Sequence, residues 1–303
     1  MIPAKGEMGV TDMRCVSTIA VLLVAALAVL IPQNVFAGFA SEWDFTNSDF
    51  TAVSGSPSSV TMSYVGDTAT TAPVSFVDAT INGVSKKVMS YDAFKGPNQH
   101  GGGGELQGLL VSSGALENYT MIWDINLPGT PQTTGSYDQW ATLLQTNTAG
   151  TTDAAYCTMP TTDSTTTYKV GLGSGVGYGG SMAYGEWQRI ALTVSTDSGI
   201  STATTYVNGT QVCSATYPGT GAAYNRFRID SSGFLLFTDD DGETSRGYLS
   251  AFALTDSVLT SAQIGALGGV SASGIMSVPE PGTVGLLTTG LVAIIAYAWR
   301  RRK

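Results

Sequence analysis

The stretch GEWQRIALTVSTDSGISTATTYVNGTQV, Gly185 to Val212, decides the fold. In Trp187-Gln188-Arg189-Ile190-Ala191-Leu192-Thr193-Val194 apolar and polar side chains largely alternate, the pattern of a strand with one buried and one wet face. A polar, glycine-containing loop is expected over Thr196 to Ser201, followed by a second strand over Ala203 to Val207. Asn208-Gly209 separates that strand from Gln211-Val212-Cys213. Asn-Gly between two β-prone runs is the strongest short hairpin signal, because both residues tolerate the positive φ of a type I′ turn. The stretch therefore reads as antiparallel strands within a β-sandwich.

Working outward, Ile81-Asn82-Gly83-Val84 repeats the hairpin signal. Further strands are expected at Trp43 to Phe45, Ser58 to Tyr64, Val74 to Ala79, Lys87 to Tyr91, Tyr119 to Ile125, Trp140 to Leu144, Phe227 to Ile229, Phe234 to Phe237 and Gly247 to Leu254. Thr260 to Leu267 reads as a short helix with a Thr260/Gln263 capping box, stopped by Gly268-Gly269.

The order Gly-Glu-Trp-Gln-Arg-Ile-Ala, then a strand ending Tyr-Val-Asn-Gly, resembles the central signature of laminin G-like, concanavalin A-like domains. The strand, acidic turn, strand and short helix that close the domain resemble the end of laminin G-like and pentraxin-like domains. The resemblance implies an all-β, two-sheet antiparallel jelly-roll sandwich over residues 41–269. Domains of this kind bind carbohydrates, proteins or one another. The family's acidic pair in the closing strand is replaced here by Ser250-Ala251, which weakens any detailed transfer of function.

Both ends of the 303-residue chain differ from this domain. Residues 1–40 read as a secretory signal helix: Thr18 to Ile31 is apolar, Arg14 precedes it, and small residues follow at Ala37 and Ala40. Lys5, Glu7 and Asp12 make a poor leader start, so Met13 is an alternative initiation site to Met1. Residues 270–277 read as a linker. Val278-Pro279-Glu280-Pro281 follows, then an uncharged apolar segment from Gly282 to Trp299 and the basic tail Arg300-Arg301-Arg302-Lys303. That segment is just long enough for a transmembrane helix, with the basic cluster on the cytoplasmic side. The arrangement over 278–303 resembles the PEP-CTERM sorting signal that exosortases recognise in Gram-negative bacteria. It implies export, a transient inner-membrane anchor, cleavage near Pro279 to Pro281, and release or attachment at the cell surface or in the extracellular matrix, with signal peptidase expected to remove the N-terminal leader during export.

Charge excludes one partner class. Between Ser41 and Val278 there are 20 acidic against 8 basic residues, a net charge of −12, and nucleic-acid binding needs a positive face. Histidine occurs once, at His100, so a multi-histidine zinc site is excluded. Cys157 and Cys213 are the two cysteines outside the leader and form a disulfide candidate in an oxidising compartment, with two separate thiols as the alternative.

Asp239, Asp240, Asp241 and Glu243 form the densest acidic cluster and are the calcium candidates, since calcium takes six to eight oxygen ligands. Asp and Gly are equally ordinary turn residues. No other cofactor is expected. The Glu-x-Asp-x-x-Glu strand of laminarinase-type glycosidases is absent, and His100 stands in no lyase pattern, so no catalytic residues are assigned and catalysis is not expected. Trp43, Trp123, Trp140 and Trp187 are of the type that stacks on sugars, but three of them sit in strand patterns that bury them, so core is the expected role; Tyr178 and Tyr184 are better placed for a ligand rim. The expected function is a non-catalytic surface or matrix protein binding extracellular polysaccharide or surface glycan. A structural matrix or adhesion protein with protein partners is the first alternative, and a polysaccharide-cleaving enzyme the second.

Overall fold

The computed structural model describes residues 40–53, 60–66, 74–92, 94, 107–128, 140–148, 153–158, 167–172, 178–218, 226–238 and 244–275, with backbone alone at 40, 140, 153–158 and 218. All belong to one compact unit, Val35–Met276. The expected signal helix, the acidic cluster 239–243, His100 and the sorting tail with its apolar segment lie outside the described residues. Among the described residues, no helix is long and apolar enough to cross a membrane.

The unit is an all-β sandwich of two antiparallel sheets. The strands are β1 (Ala40–Trp43), β2 (Thr61–Val65), β3 (Val74–Ile81), β4 (Val84–Tyr91), β5 (Gly108–Ser112), β6 (Tyr119–Asn126), β7 (Trp140–Gln145) and β8 (Asp153–Thr158). The remaining strands are β9 (Thr167–Gly171), β10 (Tyr178–Ala183), β11 (Trp187–Asp197), β12 (Ile200–Val207), β13 (Thr210–Pro218), β14 (Phe234–Leu236) and β15 (Gly247–Thr255), and one helix, α1 (Ser261–Leu267), follows them. One sheet runs β13-β12-β11-β6-β15-β4-β3, with β1 also on β15; the other runs β10-β9-β8-β7-β14-β5-β2.

Tight turns set the registers. Asn82-Gly83 and Asn208-Gly209 have φ of 50°, 83° and 47°, 82°, the paired positive values of type I′ turns. Ser198-Gly199 adopts the same pair, 50° and 81°, so the loop expected over 196–201 is a two-residue hairpin and both its strands run longer than alternation alone indicated. Two expected strands end differently. Phe45 takes a φ of 59°, which breaks the first strand at Trp43, and Phe227 to Ile229 makes only an isolated bridge from Ile229 to Leu116.

The core between the sheets is aromatic. Trp43 stacks on Phe252 at 5.6 Å, Trp123 meets the same ring at 5.6 Å, and Phe234 approaches it edge-on at 6.3 Å. Such burial makes truncation of either Trp43 or Trp123 cost about 3–5 kcal/mol. A second apolar cluster lies on the outer face of the first sheet, where Ile122, Ala191, Tyr206, Ala251 and Ala253 receive Leu259, Ile264 and Ile275.

The helix is too short to stand alone and survives by capping and docking. Gln263 N donates to Thr260 Oγ1 at 3.3 Å and Thr260 N donates to Gln263 Oε1 at 2.8 Å, the expected capping box. Gly268, at φ 61°, ends the helix. Beyond it the chain does not leave the domain: residues 270–275, within the stretch read as a linker, lie docked on the sheet as described below.

Candidate functional site

Residues paired across antiparallel strands share a face, so register alone maps the outer surface of the first sheet. Three rows emerge. At the apolar end, Ala191, Ile122 and Ala253 align and are covered by α1. In the middle, Arg189, Asp124 and Ala251 align. At the far end, Trp187, Asn126, Tyr248, Ser90 and Ser75 form a row across β11, β6, β15, β4 and β3.

The middle row is a buried clamp. Arg189 Nε and Nη2 donate to the two carboxylate oxygens of Asp124, both at 2.7 Å. Nη1 donates to Leu267 O at 2.7 Å, at the carbonyl end of α1, and Nη2 reaches Gly274 O at 3.2 Å. Ile275 N donates to Glu42 Oε1 at 2.6 Å, and Asn82 Nδ2 donates to Val270 O at 2.9 Å. Arg189 and Asp124 are 4% and 0% exposed. Burial pushes the Asp124 carboxyl up, opposed by the bonds and charge of Arg189, by Lys86 and by the Ser271 backbone. Burial also pushes the Lys86 amine down, opposed by Asp44, Glu42 and Asp124. Together these groups hold residues 268–275 against the sheet; their role is structural.

The far row is open. It floors and walls a groove of about 530 Å³ whose lining includes Trp187, Tyr248, Asn126, Ser90, Asp78 and the Gly185 turn. Trp187 and Tyr248 are half-buried and stand on the strands flanking Asn126, so their Cα atoms are roughly 10 Å apart, two spacings of about 4.8 Å. Between them lies Asn126, 9% exposed. Its Nδ2 donates to Gly185 O at 2.8 Å, which fixes the amide, while its buried Oδ1 accepts no hydrogen bond from the protein. Leaving a buried acceptor unmatched costs about 1–3 kcal/mol. Asp78 is the acidic residue among the described lining residues, and Lys87 Nζ donates to its carboxylate at 3.0 Å.

Gly247 sits beside this row for a steric reason: a Cβ there would collide with the Tyr91 hydroxyl. Its smallness lets β15 pack onto β4 next to Tyr248.

The expected site residues separate accordingly. Trp43 and Trp123 are core as expected, whereas Trp187 lies on the groove, against that expectation: it is in phase with Arg189 and Thr193 and out of phase with Ile190 and Leu192. Tyr184 packs at 5.1 Å on Tyr168 and Tyr178 lies over Gly171, both away from the groove row. Asn126 and Tyr248 carry no sequence motif. Cys157 and Cys213 lie on β8 and β13, strands of opposite sheets, and burial pushes the Cys213 thiol up while the Leu172 and Ser214 backbones oppose it. Asp239, Asp240, Asp241 and Glu243 lie outside the described residues, as do Val278, Pro279, Glu280, Pro281, Arg300, Arg301 and Arg302.

The domain is an antiparallel two-sheet sandwich with one sheet roofed by a short helix. Residues 115–265 match the Laminin_G_3 family model, of the Concanavalin A-like lectin/glucanases superfamily, and residues 277–303 match the PEP-CTERM protein-sorting motif. That motif marks an exported, surface-sorted protein and implies processing by an exosortase. Among solved structures the chain is similar to domain 4 of AbnA, a GH43 extracellular arabinanase from Geobacillus stearothermophilus, in complex with arabinotriose. The identity is 16% and the TM-score 0.46, over 76% of this chain and 99% of that one. It is also similar to the binding domain of Paraclostridial Mosquitocidal Protein 1 (12%, TM-score 0.45, 76% and 51% covered). Trypanosoma rangeli sialidase in complex with DANA is a third (13%, TM-score 0.40, 67% and 32% covered). The chain thus spans about half of the second and a third of the last. Likeness at this level says nothing about ligand or chemistry. No curated protein matches the chain.

Proposed function

We propose that this is a non-catalytic carbohydrate-binding protein, exported with the help of signal peptidase, anchored transiently in the inner membrane, cut by an exosortase and displayed at the cell surface or in the extracellular matrix. The observation that carries the binding reading is the groove in which two aromatic side chains flank a buried, unmatched amide oxygen. Aromatic faces receive the apolar faces of sugar rings, and a few placed polar groups fix their orientation. Catalysis has less support: hydrolysis by the usual route needs two carboxyl groups on either side of the scissile bond, and this groove offers Asp78, held by Lys87.

Calcium at Asp239, Asp240, Asp241 and Glu243, and a Cys157–Cys213 disulfide, stay proposals within this reading. The experiment is binding of the domain, Ser41 to Ser277, to a panel of polysaccharides in calcium and then in chelator, with a reducing-sugar assay alongside. Binding without product is expected. Loss of binding in chelator assigns a calcium role to the acidic cluster. Failure of a folded domain to bind any glycan favours a structural matrix protein with protein partners, and released sugar favours an enzyme.

A further inference from the structure

We infer that the docking of residues 270–275 onto the first sheet, besides covering it, retards exosortase cleavage, so that release of this segment sets the rate of processing. This rests on the processing reading given above and adds a control point to it; it is independent of what the groove binds. Among the described residues the segment ends at Ile275, which is 3% exposed and packs with Ile122, Ala191 and Ala253 on the outer face of the sheet. Three hydrogen bonds hold it there: Asn82 Nδ2 to Val270 O at 2.9 Å, Arg189 Nη2 to Gly274 O at 3.2 Å, and Ile275 N to Glu42 Oε1 at 2.6 Å. Pro279 follows Ile275 by four residues and Pro281 by six. Fully extended, those links span at most about 14 and 21 Å. A protease takes its substrate as an extended strand and engages backbone groups on both sides of the scissile bond. Cleavage next to Pro279 brings Gly274 and Ile275 to the edge of the engaged stretch, where their backbone groups are already committed to Arg189 and Glu42. Because Ile275 lies on a sheet face, the sandwich also crowds whatever approaches the next few residues. Opening of the segment removes both obstacles and leaves the strands paired beneath it. The bond broken is the one the exosortase already cuts; opening changes only its accessibility. Where opening is fast relative to cutting, the cutting rate follows the open population.

The test pulse-labels the full chain in an exosortase-containing host and follows loss of the uncut precursor from the membrane fraction. Gly274→Ala, whose added Cβ would strike Glu42 Oε1, should speed cleavage roughly tenfold. Asn82→Gly removes the bond to Val270 O while suiting the positive φ of its turn, and should speed cleavage roughly threefold. Hydrogen exchange on the full chain in detergent reports whether each substitution has loosened 270–275. A flexible Gly-Ser spacer inserted after Ser277 moves the scissile segment away from the sandwich without touching the docked bonds. It should speed cleavage about as much as Gly274→Ala, and the two together should exceed either alone by little. Replacing Pro279, Glu280 and Pro281 by alanine in each background should abolish the gain, which assigns the cutting to the exosortase. Cleavage at the wild-type rate in a variant whose 270–275 amides exchange faster, or in the spacer variant, overturns the inference and leaves exosortase processing standing. The spacer decides by itself if neither substitution loosens the segment. A wild-type precursor that is never cut removes the processing reading as well.

Discussion

Arg189 uses its planar fork to satisfy four acceptors at once: both oxygens of Asp124, Leu267 O and Gly274 O. Removing one partner of a buried pair leaves the other charge uncompensated, so Arg189→Met should lose about 3–5 kcal/mol, read from urea midpoints at neutral pH. Arg189→Lys should recover little of this, because an ammonium cannot reproduce the bidentate geometry. Lys86 is a different case, a buried amine with no hydrogen-bond acceptor and with Asp44, Glu42 and Asp124 nearby. Its folded pKa lies below the ordinary 10.5, so in the interval up to 10.5 the unfolded chain holds more protons than the native one. Its contribution to stability therefore rises with pH through that window. Urea midpoints of wild type should gain on those of Lys86→Met as pH climbs toward 10.5, and the reverse trend would show that the native state favours the ammonium.

At the scale of elements, the segment 268–275 behaves as part of the sheet it covers. Gly274 has a φ of 97° and a Cβ there would strike Glu42 Oε1, the atom that accepts from Ile275 N. Gly274→Ala should therefore release the segment locally, costing about 1–3 kcal/mol. Hydrogen exchange of the 270–275 amides should quicken while β6 and β11 stay protected; uniform quickening instead would make the segment part of the global folding unit. The capping box of α1 and the Asn-Gly turns illustrate the opposite situation. Their geometry follows from residues within four positions of one another, which is why the sequence announced them.

For the whole molecule, the sorting motif matched at 277–303 marks an exported, surface-sorted protein, and under the proposed function it is the β-sandwich ahead of it that is displayed. Replacing Pro279, Glu280 and Pro281 together by alanine should leave the domain folded, with unchanged melting, but retained uncut in the membrane fraction of an exosortase-containing host. Release at the wild-type rate would show that processing does not read those residues.

Period-two alternation, Asn-Gly turns and a capping box are local signals, and they determined the class of fold, the hairpins around 82–83 and 208–209, and the helix at 261–267. The terminal motif marked the protein as exported and surface-sorted. The groove is another matter. Trp187, Asn126 and Tyr248 lie in three strands far apart in the chain and become neighbours only because β11 and β15 pair with β6 on either side. The same pairing sets Arg189 beside Asp124 one row away, where it is sealed by the segment 268–275. Which outer-face residues are roofed and which are left open therefore depends on strand order, register and the path of the covering chain. Those are set by long-range packing, which leaves no period in the sequence.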